Sequence, residues 1–165
     1  MEEKKEKISI EKIGTIDNEL IGRADNAIIL IPDNWLHDGQ DPVYPTTLDP
    51  VRKLFKLNKL TYEPLYPIID SVKYRDNRSI DWVAPIMLVT ASFVSENPAA
   101  ISIALNVIST YVVDIFKGLN KTPNIKLSIV LQKSDKADVR KVNYEGPASG
   151  LTELDNVIKN IMKEE

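Results

Sequence analysis

The chain has 165 residues, a formal net charge of −3 and no cysteine. The absence of cysteine excludes disulfides, thiolate metal sites and thiol catalysis. The length is typical of one domain, and the lack of a dense Lys/Arg run beyond the N-terminus argues against a dedicated nucleic-acid binder.

The N-terminal part predicts a short tail, a short helix and a strand. Residues 1–7 are dominated by Glu and Lys and predict a disordered, solvated tail ahead of a single α+β domain over residues 8–165. These residues contain no apolar signal segment, so we expect a cytoplasmic protein. Thr15 is predicted to cap the helix. Residues 27–32, AIILIP, predict a buried strand that ends at Pro32.

The next segment, PDNWLHDGQDPVYP over residues 32–45, contains the only histidine of the chain. Four side chains there could ligate a metal ion: Asp33, His37, Asp38 and Asp41. Their spacing fits no EF-hand or zinc motif, so we favour a turn in which Asp and Asn bond to the local backbone. We accordingly predict no metal, no cofactor and no catalytic residue.

The same segment also suits the docking of a protein partner, because aromatic side chains lie on a loop bounded by prolines. Three residues of the segment and three aromatic residues that follow it form the predicted partner-binding set: Trp35, His37, Tyr44, Tyr62, Tyr66 and Trp82.

The centre of the chain is apolar. Residues 82–95 fit either a helix or a strand, because Pro85 and the β-branched content leave both open. Residues 98–117 predict a long helix, with Asn97 as its cap and Gly118 at its end.

Polar residues form only a narrow stripe on that helix, so we expect it to lie in a core or against a partner: Ser102, Asn106, Ser109 or Thr110, Asp114 and Lys117. The whole block 82–116 could instead place the chain on a membrane. However, its helical part gives only the 16 residues 98–113 before Asp114, whereas a span needs about 20, and flanking basic clusters are lacking.

The C-terminal part predicts a hairpin and a helix. Alternating apolar residues in IKLSIVLQK and VRKVNYE predict two antiparallel strands over residues 125–145. The glycine-rich turn GPASG, residues 146–150, matches no phosphate-binding motif and leads into a helix over residues 150–163. The expected fold is therefore α+β, with a small antiparallel sheet packed on the 98–117 helix.

The order of the C-terminal elements resembles that of small accessory components encoded beside effector genes in prokaryotic conflict (antiphage) systems. The resemblance covers about 75 residues and consists of SFVSENPAAISIALNVISTYVVDIFKG, IKLSIVLQK and VRKVNYEGPASGL. It implies a non-enzymatic adaptor that docks an effector or sensor subunit. It carries over no catalytic residue.

The sequence therefore predicts a non-catalytic interaction subunit of a larger assembly, and the resemblance implies a role in prokaryotic antiviral defence. A homo-oligomer is compatible with this reading. One alternative is a small metal-dependent hydrolase or nuclease that uses the loop at Asp33, His37, Asp38 and Asp41. Another is a peripheral membrane protein that uses residues 82–116.

Overall fold

The computed structural model describes residues 6–36, 41–66, 73–75, 81–119, 122–133 and 138–163. The strands are β1 (Lys7–Ile13), β2 (Ile28–Ile31), β3 (Val43–Pro45), β4 (Tyr62–Pro64), β5 (Lys73–Arg75), β6 (Asp81–Val83), β7 (Ile86–Thr90), β8 (Asn124–Gln132) and β9 (Val139–Gly146). The α-helices are α1 (Asn18–Ala24), α2 (Leu48–Leu57), α3 (Ala91–Glu96), α4 (Ala100–Ile115) and α5 (Leu151–Lys163).

The main sheet is larger than the sequence predicts. Within the described ranges it has seven strands in the order β1-β9-β8-β7-β2-β4, with β6 also paired to β8. The α+β class is confirmed, but the expectation of a small antiparallel sheet is wrong. Strands of three to five residues, such as β4 and β7, are too short for alternation to identify them.

The sheet is mixed because two crossovers produce parallel pairs. The chain leaves β7, passes through α3 and α4, and returns as β8 beside β7 and parallel to it. It leaves β2, passes through α2, and returns as β4 parallel to β2. Since β2 is antiparallel to β7, the two crossover units run in opposite directions. A helix is the usual connection between parallel strands.

Side chains on the two faces of the sheet form two apolar clusters. The larger cluster packs β2, β7, β8 and β9 against α2, α4 and α5, with Phe55, Ile108 and Ile158 among its fully buried members. The smaller cluster packs the other face of β2 and β7 against α1 through Ala24 and Ile29. Two buried faces explain why β2 is apolar at every position.

Several local predictions are confirmed. The hairpin consists of β8 and β9, paired antiparallel from Ile125↔Gly146 to Gln132↔Val139. The C-terminal helix is α5, preceded by one turn of 3-10 helix at Ala148–Gly150. Gly118 follows the long helix with a positive φ of 92°, a conformation that suits a helix end.

Other local predictions need correction. The long helix begins at Ala100, because Asn97 ends α3, where its side chain donates to the Phe93 carbonyl. The first helix is capped by Asp17, which accepts from the Glu19 amide, and Thr15 lies outside it. Residues 82–95, left open as helix or strand, are both, because β7 leads directly into α3.

Candidate partner-binding surface

The side chain of Asn34 connects the two described parts of the 32–45 loop. Asn34 Nδ2 donates to the Asp41 carbonyl at 2.8 Å, and Asn34 Oδ1 accepts from the Val43 amide at 2.9 Å. The Asp33 amide donates to the Val43 carbonyl at 2.7 Å. These bonds join the start of the loop to its end, across seven to ten residues of the chain.

Two of the four proposed metal ligands can be placed. The carboxylate of Asp41 lies 3.5 Å from Lys73 Nζ, and Asp33 follows β2 at the start of the loop. His37 and Asp38 lie outside the described residues. Within the described residues, no group of three or more His, Asp or Glu side chains is arranged to hold a metal ion.

The predicted partner-binding aromatic residues separate into interior and surface positions. Tyr44 is fully buried, and its hydroxyl donates to the Leu30 carbonyl at 2.9 Å. Trp82 is buried and contacts Tyr111 edge to face, at 6.3 Å between ring centroids. Both side chains therefore belong to the core, although the sequence places them in the docking set.

The remaining aromatic residues of that set are more accessible. Tyr66 is 42% exposed. Tyr62 is half-buried and contacts Phe55 edge to face, at 6.0 Å between ring centroids. Trp35 is half-buried against the smaller apolar cluster. Of the described members, Tyr66 is thus the most accessible.

Helix α4 has a buried side and also carries exposed apolar side chains. Its inward side is buried along Ile101, Leu105, Ile108 and Val112. Elsewhere on the helix Ile103 is 38% exposed and Val113 is 51% exposed. Ile115, at the helix end, and Leu119, beyond it, are also exposed. A helix with apolar residues on its outer side is commonly covered by another surface.

The predicted polar stripe of α4 has two different environments. Asn106, Thr110, Asp114 and Lys117 are exposed, as a solvent stripe would be. Ser102 is half-buried and donates to Asp155 Oδ2 on α5 at 2.8 Å. That part of the stripe therefore joins two helices.

A groove lies between α2 and α4 beside the exposed residues. It encloses about 350 Å³ and is lined by Leu54 and Asn58 from α2 and by Asn106, Val107, Thr110, Tyr111 and Asp114 from α4. The lining combines apolar side chains with amides, a hydroxyl and one carboxylate. Such a groove can take an apolar side chain while the polar groups bond to the surrounding backbone.

A second, more polar recess lies between α4 and the start of α5. It encloses about 260 Å³, and its lining includes Ser102, Ser109, Ser149, Thr152 and Asp155. Asp155 Oδ2 also lies 3.1 Å from Lys159 Nζ on the same helix. This carboxylate oxygen therefore contacts both Ser102 of α4 and Lys159 of α5. The recess is thus built around a structural hydrogen-bond network.

Comparisons with protein-family models, with curated protein sequences and with solved structures give no match to this chain. Within the described residues, no helix is both long and apolar enough to cross a membrane. Sequence reasoning missed the α2–α4 groove, since only packing brings Leu54 beside Tyr111. In the sequence, the apolar residues Ile103 and Val113 close to the polar stripe of α4 were the one indication of an apolar surface there.

Proposed function

We propose that the chain is a non-catalytic interaction subunit of a larger assembly, and that it binds a protein partner through the outer face of α4. The proposal is supported by the α2–α4 groove, which Leu54, Val107 and Tyr111 line, and by the exposed apolar side chains of Ile103 and Val113 on α4. Leaving them in water forgoes the free energy of burying them, about 25 cal/mol per Å² of apolar surface.

The lining of the groove suggests the chemistry of the partner. Leu54, Val107 and Tyr111 offer an apolar floor, while Asp114 supplies a carboxylate at the end nearer Gly118. A partner surface that inserts an apolar side chain and brings a Lys or Arg toward Asp114 would match both features. The resemblance to antiphage accessory components favours an effector or sensor subunit encoded nearby.

The test is co-purification with the products of neighbouring genes. The chain is co-expressed with each product as wild type, as Ile103→Lys and as Val113→Lys. Both substitutions place a charge on the proposed interface, and both positions are exposed enough for the fold to tolerate them. We expect either variant to lose the partner while its thermal unfolding stays close to that of wild type.

The matched control is Leu36→Lys, because Leu36 is also an exposed apolar residue, 60% accessible, but lies on the 32–45 loop. Retention of the partner by Leu36→Lys supports the α4 face. Loss of the partner only in Leu36→Lys would move the interface to the loop. Unchanged co-purification in all three variants would contradict both locations.

A further inference from the structure

Strand β1 forms an edge of the main sheet. Among the described residues it pairs with β9 alone, in the register Lys7↔Glu145 to Ile13↔Val139. Its side chain Ile10 is 49% exposed, although it lies on the same face as the larger apolar cluster that Ile8 contacts. The strand thus offers seven residues of edge backbone together with an uncovered apolar side chain.

The sequence around β1 complements itself about Ser9. Residues 6–12 read EKISIEK. If two copies of the strand run antiparallel with Ser9 opposite Ser9, then Ile8 lies opposite Ile10 and Lys7 lies opposite Glu11. Residues directly opposite in such a pair have Cβ atoms about 4.5–5.5 Å apart, which is close enough for these side chains to interact.

Neighbouring registers lack this complementarity. A shift of one residue places Lys7 opposite Lys12 or Glu6 opposite Glu11, and it also turns the apolar faces of the two copies to opposite sides. A shift of two residues keeps the faces together but places Lys7 opposite Ser9 or Ile8 opposite Lys12, so the Lys7–Glu11 pairs are lost. Charges on an edge strand usually oppose pairing, because a second chain brings like charges together. Here one register brings only opposite charges together.

The neighbouring strands extend the same pattern. Within one copy, Lys7 lies opposite Glu145 and Glu11 lies opposite Lys141. Joining two copies would produce a row of alternating sign, Glu145–Lys7–Glu11–Lys141, that crosses from one copy to the other. The central row would be uncharged, because it consists of Ser9 and Asn143 from each copy. Within one copy, Asn143 Nδ2 donates to Ser9 Oγ at 3.4 Å and to Glu11 Oε1 at 3.3 Å.

We infer that two copies of this chain associate through β1, antiparallel and centred on Ser9, to form one continuous sheet. The association covers Ile10 with the partner's Ile8 and joins two Lys7–Glu11 pairs across a two-fold axis. It uses an edge of the sheet that is separate from the α4 face and does not depend on the proposed function.

The first test uses charge reversal and mixing. Sedimentation velocity over a concentration series is expected to show a dimer for wild type. Lys7→Glu alone places Glu opposite Glu11, and Glu11→Lys alone places Lys opposite Lys7, so each variant should dimerise at least about tenfold more weakly. An equimolar mixture restores both opposite-charge pairs and should recover the dimer.

The controls separate dimer loss from unfolding. Each variant should retain the wild-type circular dichroism spectrum, and Glu96→Lys, at an exposed position on α3, should dimerise like wild type. Recovery of the dimer in the mixture of Lys7→Glu and Glu11→Lys requires that both variants are folded. A wild-type chain that sediments as a monomer throughout the series, or single variants that dimerise as well as wild type, would overturn the inference.

The second test reads the register directly, because the chain has no native cysteine. Ser9→Cys places two thiols opposite each other across the axis and should form a disulfide-linked dimer under mild oxidation. Lys7→Cys alone should crosslink slowly, whereas a mixture of Lys7→Cys with Glu11→Cys should crosslink as Ser9→Cys does. Equal crosslinking of all single variants would refute this register.

Discussion

Gly150 leaves the space that the hydroxyl of Tyr144 occupies. A β-carbon added at Gly150 would collide with that hydroxyl and with the Glu6 carboxylate, and would lie 3.1 Å from Tyr144 Cζ. The hydroxyl is held in place because it donates to the Pro147 carbonyl. A glycine at position 150 therefore allows Tyr144 of β9 to pack closely against the turn before α5.

Gly150→Ala should lower the free energy of unfolding by about 1–3 kcal/mol, since either the tyrosine or the turn must shift. Chemical denaturation measures the change. The matched control is Gly22→Ala in α1, where an added β-carbon meets nothing within 4 Å. Alanine is the better helix former, so that variant should gain up to about 1 kcal/mol. Equal effects of the two substitutions would contradict the packing argument.

Two buried tyrosines should make the fold sensitive to alkali. Burial raises the pKa of Tyr44 to about 12, and burial together with the charge of Glu6 raises the pKa of Tyr144 to about 12. An unfolded tyrosine ionises near pH 10, so below that pH both states are protonated and no stability is lost. Between about pH 10 and 12 the unfolded state loses its protons first, and stability falls by up to about 2–3 kcal/mol per tyrosine.

Urea unfolding at several pH values between 8 and 12 checks this prediction, with tyrosinate absorbance as a second signal. Tyr44→Phe should be less stable than wild type near neutral pH, by about 1 kcal/mol, because the bond to the Leu30 carbonyl is lost. Its stability should also fall less steeply above pH 10. A slope identical to that of wild type would count against the raised pKa of Tyr44.

Thr90 is expected to stabilise the junction between β7 and α3. Its fully buried hydroxyl donates to Asp25 Oδ1 at 2.7 Å and accepts from the Phe93 amide at 3.2 Å, which caps α3. Thr90→Val keeps the shape but removes both bonds, so unfolding should become easier by about 1–3 kcal/mol. Thr90→Ser keeps the hydroxyl, and in denaturant titrations it should lose less stability than Thr90→Val.

Arg23 should hold the opposite sheet edge, β4, to α1. Its guanidinium donates to Glu63 Oε1 at 2.6 Å and to the carbonyls of Pro64 and Leu65 at 3.0 Å each. Lysine cannot reproduce this forked geometry. In Arg23→Lys, hydrogen exchange should quicken most at the Leu65 amide, which donates to the Leu30 carbonyl at 2.8 Å. Unchanged exchange at the Leu65 amide would contradict a role for the forked hydrogen bonds and leave only the ion pair with Glu63. An ion pair this exposed contributes little to stability.

Elements with local sequence signals could be predicted without the structure. Alternation identified the hairpin of β8 and β9, since one face is buried along the whole of β8 and from Val142 to Gly146 in β9. Helical spacing from Leu151 to Ile161 identified α5.

The size of the sheet and the location of the candidate surfaces could not be predicted from the sequence, because both depend on long-range packing. Segments as short as β4 and β6 are strands only because they pair with β2 and β8. Parallel pairing of this kind joins residues that lie far apart in the chain. Burial is likewise a property of packing. Tyr44 and Trp82 look like docking residues in the sequence and lie in the core, whereas Ile103 and Val113 look like core residues and lie at the surface.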